Sequence, residues 1–321
     1  MHITKLRDYC HLCKNKMKFV VRSVYFDFII YTFLFVSTIF VNKYVLSVLR
    51  FTYPTVFQAW QTLVGAVILK YLTMKKKLDV TLLDKAAAFQ LLPHCIFFVG
   101  AIVAGSKALS KLPIPVFVSV CNLPPACIFL LDYSSSPLNI GLVQVTAGLL
   151  SIGAAISVIM LDITLPFADS GYSWLLAHVV FLTAQSLHAR ITDPHYTEFD
   201  KLYYSNIFSV VVLAPASFYL EEAFSALHFQ HRRQLRFYLG CLCSGILGVL
   251  LQLWTARVRS GRWFVHSQAL ARVVASLLAL PVFSSEPSST VWIFIAVNLL
   301  TTVVIPSESE LDEKYINVLS V

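Results

Sequence analysis

Long apolar runs alternate with short polar or turn-rich separators along almost the whole of this chain. A helix needs about 20 mostly apolar residues to cross the hydrocarbon core of a bilayer. Ten runs approach or exceed that length, near 24–46, 54–72, 88–108, 114–132, 138–160, 171–190, 204–221, 236–255, 263–283 and 288–306. The separators, among them "TMKKKLD", "DYSSSP", "LDITLPFADS", "ITDPHYTEFDK", "HFQHRRQ" and "SSEPSS", are too short to hold a soluble domain. The pattern predicts an all-α polytopic membrane protein. A ten-helix domain fills 24–306, with a basic tail over 1–23 and an acidic tail over 307–321.

Composition agrees. Only 13% of the 321 residues are charged and 57% are hydrophobic, whereas soluble domains carry about 25% charged residues. Lipid is the solvent such a surface requires. The first run, "VYFDFIIYTFLFVSTIFVNKYVLSVL", is too long for a signal-peptide core and lacks a small-residue cleavage site, so it stays as the first membrane helix.

The net charge of +8 raises the question of nucleic acid, but the basic residues sit in loops. Orientation in the membrane explains them better, because cytosolic loops carry an excess of Lys and Arg. With the N-terminus in the cytosol, seventeen of the 25 Lys/Arg fall on that side and six on the other, while Lys43 and Arg272 lie within helices. Both termini are then cytosolic. Ten helices divide into five plus five, and an odd number per half gives two inverted repeats. That repeat is a topological expectation, since the halves show no convincing identity.

Of the seven cysteines, Cys10 and Cys13 form a CxxC around His11. A structural zinc site needs four ligands, and no second pair follows. An inert or palmitoylated cytosolic tail is the better reading. The remaining cysteines fall in apolar segments, where Cys behaves as a small hydrophobe. The acidic tail holds Tyr315-Ile-Asn-Val318, a loose match to a tyrosine sorting pattern.

Cations inside membrane helices are costly and mark either snorkelling or a polar cavity. Lys43 stands near the end of helix one, Lys107 ends helix three, and Arg272 lies roughly two turns into helix nine. No acidic residue lies equally deep, and unpaired cations facing a cavity suit an anionic ligand. Asn122 in helix four, Gln58 and Gln61 in helix two, and Tyr203, Tyr204, Ser205 and Asn206 at the start of helix seven are the other polar groups. Singly they read as helix–helix glue. Together, aromatic and amide groups also suit a nucleobase, which stacks on rings and offers its edges to hydrogen bonds.

"VNKYVL", "PTVFQAWQTL", "GSKALSKLPIPVF" followed by "CNL", and "DKLYYSNIFS" occur in order over most of the chain. In this the sequence resembles the nucleotide-sugar transporters, most of all their GDP-mannose transporter-like branch. The resemblance implies a ten-helix drug/metabolite-transporter fold in the Golgi or endoplasmic reticulum membrane. It also implies exchange of a lumenal nucleoside monophosphate for a cytosolic nucleotide sugar. Lys43, Lys107, Asn122, Tyr203, Tyr204, Asn206, Gln268 and Arg272 become the expected substrate-binding residues. The family's Phe-Tyr-Asn-Asn base-binding motif stands here as Tyr203-Tyr204-Ser205-Asn206. Its Gly-Ala-Leu-Asn-Lys phosphate and sugar motif stands as Gln268-Ala269-Leu270-Ala271-Arg272, and Cys121 replaces a common Lys. These departures point from GDP-mannose toward a divergent branch linked to UDP-N-acetylglucosamine.

The implied partners are a nucleotide sugar, a nucleoside monophosphate and the lipid bilayer. A homodimer is left open, and no nucleic acid, cofactor or metal is expected. A polytopic glycosyl- or lipid-transferase is the competing enzyme reading. It needs an acid/base carboxylate or an acidic metal cluster facing substrate, and no Asp-x-Asp occurs. A transporter-like scaffold that has lost transport is the third reading, kept by the altered motifs.

Overall fold

Residues 25–80, 84–135, 142–162, 171–192, 196–259, 263–283 and 287–305 are described by a computed structural model. Both tails, with Cys10, Cys13 and the Tyr315-Val318 segment, lie outside the described residues. The elements are α1 (Tyr25–Val48, whose last turn Tyr44–Val48 is a π-turn), α2 (Pro54–Met74), α3 (Lys85–Lys111), α4 (Ile114–Val120) and α5 (Leu123–Ser135). They continue as α6 (Leu142–Asp162), α7 (Tyr172–Ile191), α8 (Glu198–Tyr219), α9 (Glu222–Leu227), α10 (Leu235–Val258), α11 (Phe264–Val282) and α12 (Ser289–Val304). Among the described residues there is no strand.

By length and composition, seven helical stretches can cross a membrane: α1, α3, the α4–α5 pair, α6, α8, α10 and α11. Three further expected spans, α2, α7 and α12, fall short of that measure. Gln58, Gln61 and Lys70 dilute α2, and His178, Gln185, His188 and Arg190 dilute α7, while α12 has 16 residues. All three are nonetheless helical and packed into the bundle.

Three expectations are corrected by local chemistry. Helix seven of the sequence reading, α8, starts at Glu198 rather than near 204. Thr197 and Asp200 form a capping box: Thr197 Oγ1 accepts from the Asp200 amide and the Asp200 carboxylate accepts from the Thr197 amide. Tyr203–Asn206 therefore lie within the helix rather than opening it. Helix three extends to Lys111, so Lys107 stands one turn inside its end. Helix four breaks at Cys121–Asn122, where α4 ends and α5 restarts at Leu123 with Pro124 and Pro125 in its first turn. Proline lacks an N–H and is tolerated only where helical donors have no partner.

The helices pack chiefly as α3 on α7, α6 on α12, α2 on α8 and on α10, and α3 on α8. Buried Val116, Val120, Ala155, Val158, Leu175, Val291 and Ile295 fill one core between α4, α6, α7 and α12. Outward faces are apolar too: Leu239, Leu242, Ile246 and Leu250 form an exposed stripe on α10 opposite buried Ser244, Gly245 and Val249. That inversion of the soluble pattern is what a lipid solvent selects.

Two contacts fix which helix ends lie together. The Asp84 amide, just before α3, donates to the Tyr204 hydroxyl at 3.0 Å. Arg259, just past α10, donates to Glu198 at the start of α8 at 3.2 Å. The start of α3, the start of α8 and the end of α10 thus share one end of the bundle, with Lys75, Lys76 and Lys77 at the end of α2. The α1–α2 and α3–α4 connections and α9 lie at the other end.

Candidate functional site

The expected site residues separate into three groups. The first surrounds the break between α4 and α5. Asn122, 1% exposed, turns its side chain inward there. Its amide nitrogen donates to the Asn298 carbonyl (3.1 Å), to Asn298 Oδ1 (3.2 Å) and to Thr302 Oγ1, while its Oδ1 accepts from Arg272 Nη1. Asn298 in turn donates to the Ser151 carbonyl at 2.9 Å. A buried chain of hydrogen bonds therefore links α11 through the break to α12 and α6. Tyr31 and the Cys121 thiol lie close to the guanidinium, and Gln268, one turn earlier on α11, lies beside Tyr31. Among the described residues no carboxylate pairs with Arg272. A guanidinium whose partners are neutral retains its charge for an anion, and its planar fork matches phosphate oxygens.

The second group sits at the loop-lysine end. Tyr203 and Tyr204 are buried and meet edge to face, with ring centroids 6.0 Å apart. They pack with Leu69, Ala87, Leu91 and Val249 of α2, α3 and α10. Asn206 is 1% exposed and donates to the Leu202 carbonyl (2.9 Å) and Gln252 Oε1 (3.2 Å). These groups hold α8 against its neighbours. The structure does not bring them to Arg272.

Lys43 and Lys107 form the third group, toward the opposite end. Lys43 is 4% exposed, and its ammonium donates to the Leu109 and Leu112 carbonyls, each at 2.8 Å. It caps the last turn of α3, whose final carbonyls have no helical partner and carry the negative end of the helix dipole. Lys107 places its ammonium 4.2 Å from the centre of the Trp174 ring. Its helix lies tight against α7, since a Cβ on Gly105 would come within 2.8 Å of the His178 ring.

A protein of Xenopus laevis, "UDP-N-acetylglucosamine transporter TMEM241 homolog", is 35% identical to this chain over 261 residues, 78% of this chain and 85% of its own. This chain belongs to the nucleotide-sugar transporter family. A Mus musculus relative, "UDP-N-acetylglucosamine transporter TMEM241", is 36% identical over 68% of this chain and 73% of its own. The "GDP-mannose transporter 2" of Neosartorya fischeri is 26% identical over 78% of this chain and 77% of its own. No family model matches the chain. A protein crystal structure superposes with a TM-score of 0.53 at 14% identity, covering 85% of this chain and 95% of that one, which shows a shared fold.

Several polar partners in this nucleotide-sugar transporter family member escape a reading of the sequence. Asn298, Thr302 and Ser151 complete the Arg272 network. Asn42 and Ser244 join Gln61 between α1, α2 and α10: Asn42 Oδ1 accepts from the Gln61 side-chain amide at 2.9 Å and from the Ser244 hydroxyl at 2.6 Å. Each is visible as a single polar residue in an apolar run, which in lipid must find a partner. Such a residue does not say which helix supplies it. The ion pairs Arg190–Asp132 (2.7 Å), Lys201–Glu198 (2.8 Å) and Arg259–Glu198 (3.2 Å) join elements far apart in sequence or span a boundary that reads as loop.

Proposed function

We propose that this protein imports UDP-N-acetylglucosamine into the Golgi lumen in exchange for UMP. The two relatives at 35% and 36% identity, both named as transporters of this nucleotide sugar, favour it. Exchange of GDP-mannose for GMP is the second reading, favoured by the relative at 26% identity. All three of these relatives are named as transporters, which speaks against a transferase.

In this reading all ten long helical segments cross the bilayer, as two inverted halves with both termini cytosolic. The packing supports the halves. Exchanging α1, α2, α3, α4–α5 and α6 with α7, α8, α10, α11 and α12 converts α3·α7 into α10·α1, α3·α8 into α10·α2, α2·α3 into α8·α10 and α5·α6 into α11·α12. The same exchange returns α2·α8, α4·α11 and α6·α12 to themselves, and all of these pairs are packed. An inverted repeat leaves that symmetry in a bundle, and its interface is where alternating access places a substrate.

The observation that carries the site is Arg272, deep in the bundle, held by the Asn122 amide and paired with no carboxylate among the described residues. The substrate diphosphate takes the guanidinium fork, and Asn122 and Gln268 orient it. Tyr203, Tyr204 and Asn206 read the base once α8 parts from α2, α3 and α10 on the cytosolic side. No P-loop occurs in the sequence, and the monophosphate gradient drives the cycle.

Exchange in proteoliposomes tests this, with UDP-N-acetylglucosamine outside and UMP inside. Arg272→Ala should lose at least about tenfold in exchange rate, and Arg272→Lys should recover part of it, because a point charge lacks the fork. Wild-type exchange in Arg272→Ala removes the site. A wild type that exchanges no nucleotide sugar leaves the scaffold reading.

A further inference from the structure

His94 of α3 is 6% exposed, and its Nε2 faces the side-chain nitrogen of Gln185 on α7 at 3.1 Å. An amide nitrogen only donates, so Nε2 accepts and the ring proton sits on Nδ1. That Nδ1 is buried and has no hydrogen-bond partner among the described residues. Folded interiors pair nearly all such groups, because an unpaired one bears its full desolvation cost. A donor kept dry in this way calls for an acceptor from outside the bundle.

The neighbours of His94 indicate which acceptor. Cys95, the next residue, accepts from the Ser205 hydroxyl at 3.8 Å, and Leu91, one turn earlier, packs with Tyr203 and Tyr204. This turn of α3 therefore lies against the Tyr203–Asn206 segment of α8. On the α7 side the His188 ring centre stands 6.4 Å from that of His94. Further along, the seam between α3 and α7 is shut, since a Cβ on Gly100 would come within 2.7 Å of the Phe181 ring. The α8 side is the one that the proposed transport cycle opens.

We propose that the Nδ1–H of His94 donates to the keto oxygen of the nucleobase, so that the site takes uracil or guanine and refuses cytosine or adenine. Uracil and guanine present an acceptor oxygen where cytosine and adenine present an amino donor. With Nε2 committed to Gln185, the imidazole cannot turn to offer an acceptor instead, as a free amide could. The inference deepens the reading in which Tyr203, Tyr204 and Asn206 face the base as α8 parts from α3, and it rests on that reading.

The test titrates the full chain in phosphatidylcholine nanodiscs with UMP, GMP, CMP and AMP by isothermal calorimetry. UMP and GMP should bind at least about fivefold tighter than CMP and AMP, the yield of one neutral hydrogen bond. His94→Gln keeps an acceptor for Gln185 near the place of Nε2 and removes the Nδ1 donor. It should weaken UMP and GMP about fivefold and leave CMP and AMP within about twofold, with the selectivity lost. His94→Asn sets an amide near the place of Nδ1 that can turn either its nitrogen or its oxygen to the base. That variant should hold UMP and admit CMP. A wild type that binds all four nucleotides alike overturns the inference and leaves the transporter reading standing. So does a His94→Gln variant that weakens all four equally, as a merely structural histidine would, or one that keeps the wild-type preference. A wild type that binds none of the four and exchanges no nucleotide sugar in proteoliposomes removes the inference and the transporter reading together.

Discussion

The sequence marks Lys43 as a substrate ligand, yet its ammonium is committed to the protein itself, and Lys43→Ala tests which role dominates. The wild-type side chain makes two charged hydrogen bonds of 2.8 Å to the Leu109 and Leu112 carbonyls. A hydrogen bond involving a charged group contributes about 1.5–3 kcal/mol, and a buried acceptor left unpaired bears its desolvation cost. Leu109 and Leu112 are both buried, but Lys111 beside them is exposed, so water can reach the Leu112 end of the turn more easily. One bond fully lost and one partly replaced gives about 2–4 kcal/mol of destabilisation. For a bundle of this size that corresponds to a fall of about 3–6 °C in apparent melting temperature.

The assay is thermal unfolding of the purified protein in detergent, run beside nucleotide-sugar exchange at equal protein in the membrane. Stability should fall first. Exchange should fall only as far as α3 loses the position of its last turn, which carries Lys107. Lys43→Arg should restore part of the stability, since guanidinium also donates to carbonyls. An Ala variant of unchanged stability that no longer exchanges would refute the capping role and return Lys43 to the substrate.

Two further expectations follow from close packing and charge. Gly65→Ala drives a Cβ into Asn206 Oδ1, well inside van der Waals contact, and should destabilise by about 1–2 kcal/mol despite the better helix propensity of Ala. In the Gly65→Ala/Asn206→Ala double variant the loss should be clearly less than the sum of the two single losses, because truncating Asn206 removes the atom that the new Cβ strikes. Glu198→Gln leaves Lys201 and Arg259 facing each other without their shared carboxylate. A loss of about 1 kcal/mol in unfolding experiments at low salt, shrinking at high salt, is expected for these partly exposed groups.

The helices are legible in the sequence because lipid demands unbroken apolar runs, so a run near 24–46 becomes Tyr25–Val48 with little displacement. The start of α8 is not, because "TEFD" looks like a polar loop until its capping box is recognised. Arg272 stands out as a lone cation in an apolar helix, and Asn122 as a lone amide. Their meeting is not legible, because it depends on the turn at Cys121–Asn122 aiming the amide inward. Lys43 is conspicuous for the same reason as Arg272. Its true partners are backbone carbonyls, which every residue carries and no sequence pattern marks.

What the structure adds is the identity of the partner at each cation. Arg190, Lys201 and Arg259 pair with carboxylates, and all three lie where α7 ends, α8 begins and α10 ends. Lys43, Lys107 and Arg272 instead face neutral groups: two carbonyls, an indole ring and an amide. These cations run from the opposite mouth into the interior. A neutral partner yields to a phosphate far more readily than a carboxylate does, because displacing it leaves no uncompensated charge behind. Arg190, Lys201 and Arg259 are thus neutralised by carboxylates, while Lys43, Lys107 and Arg272 keep their charge against neutral partners. On the proposed transporter reading, an anion entering from the opposite mouth meets these cations before it reaches the ion pairs. On that same reading, opening the end where α7 ends, α8 begins and α10 ends requires Glu198 and Asp132 to release their partners.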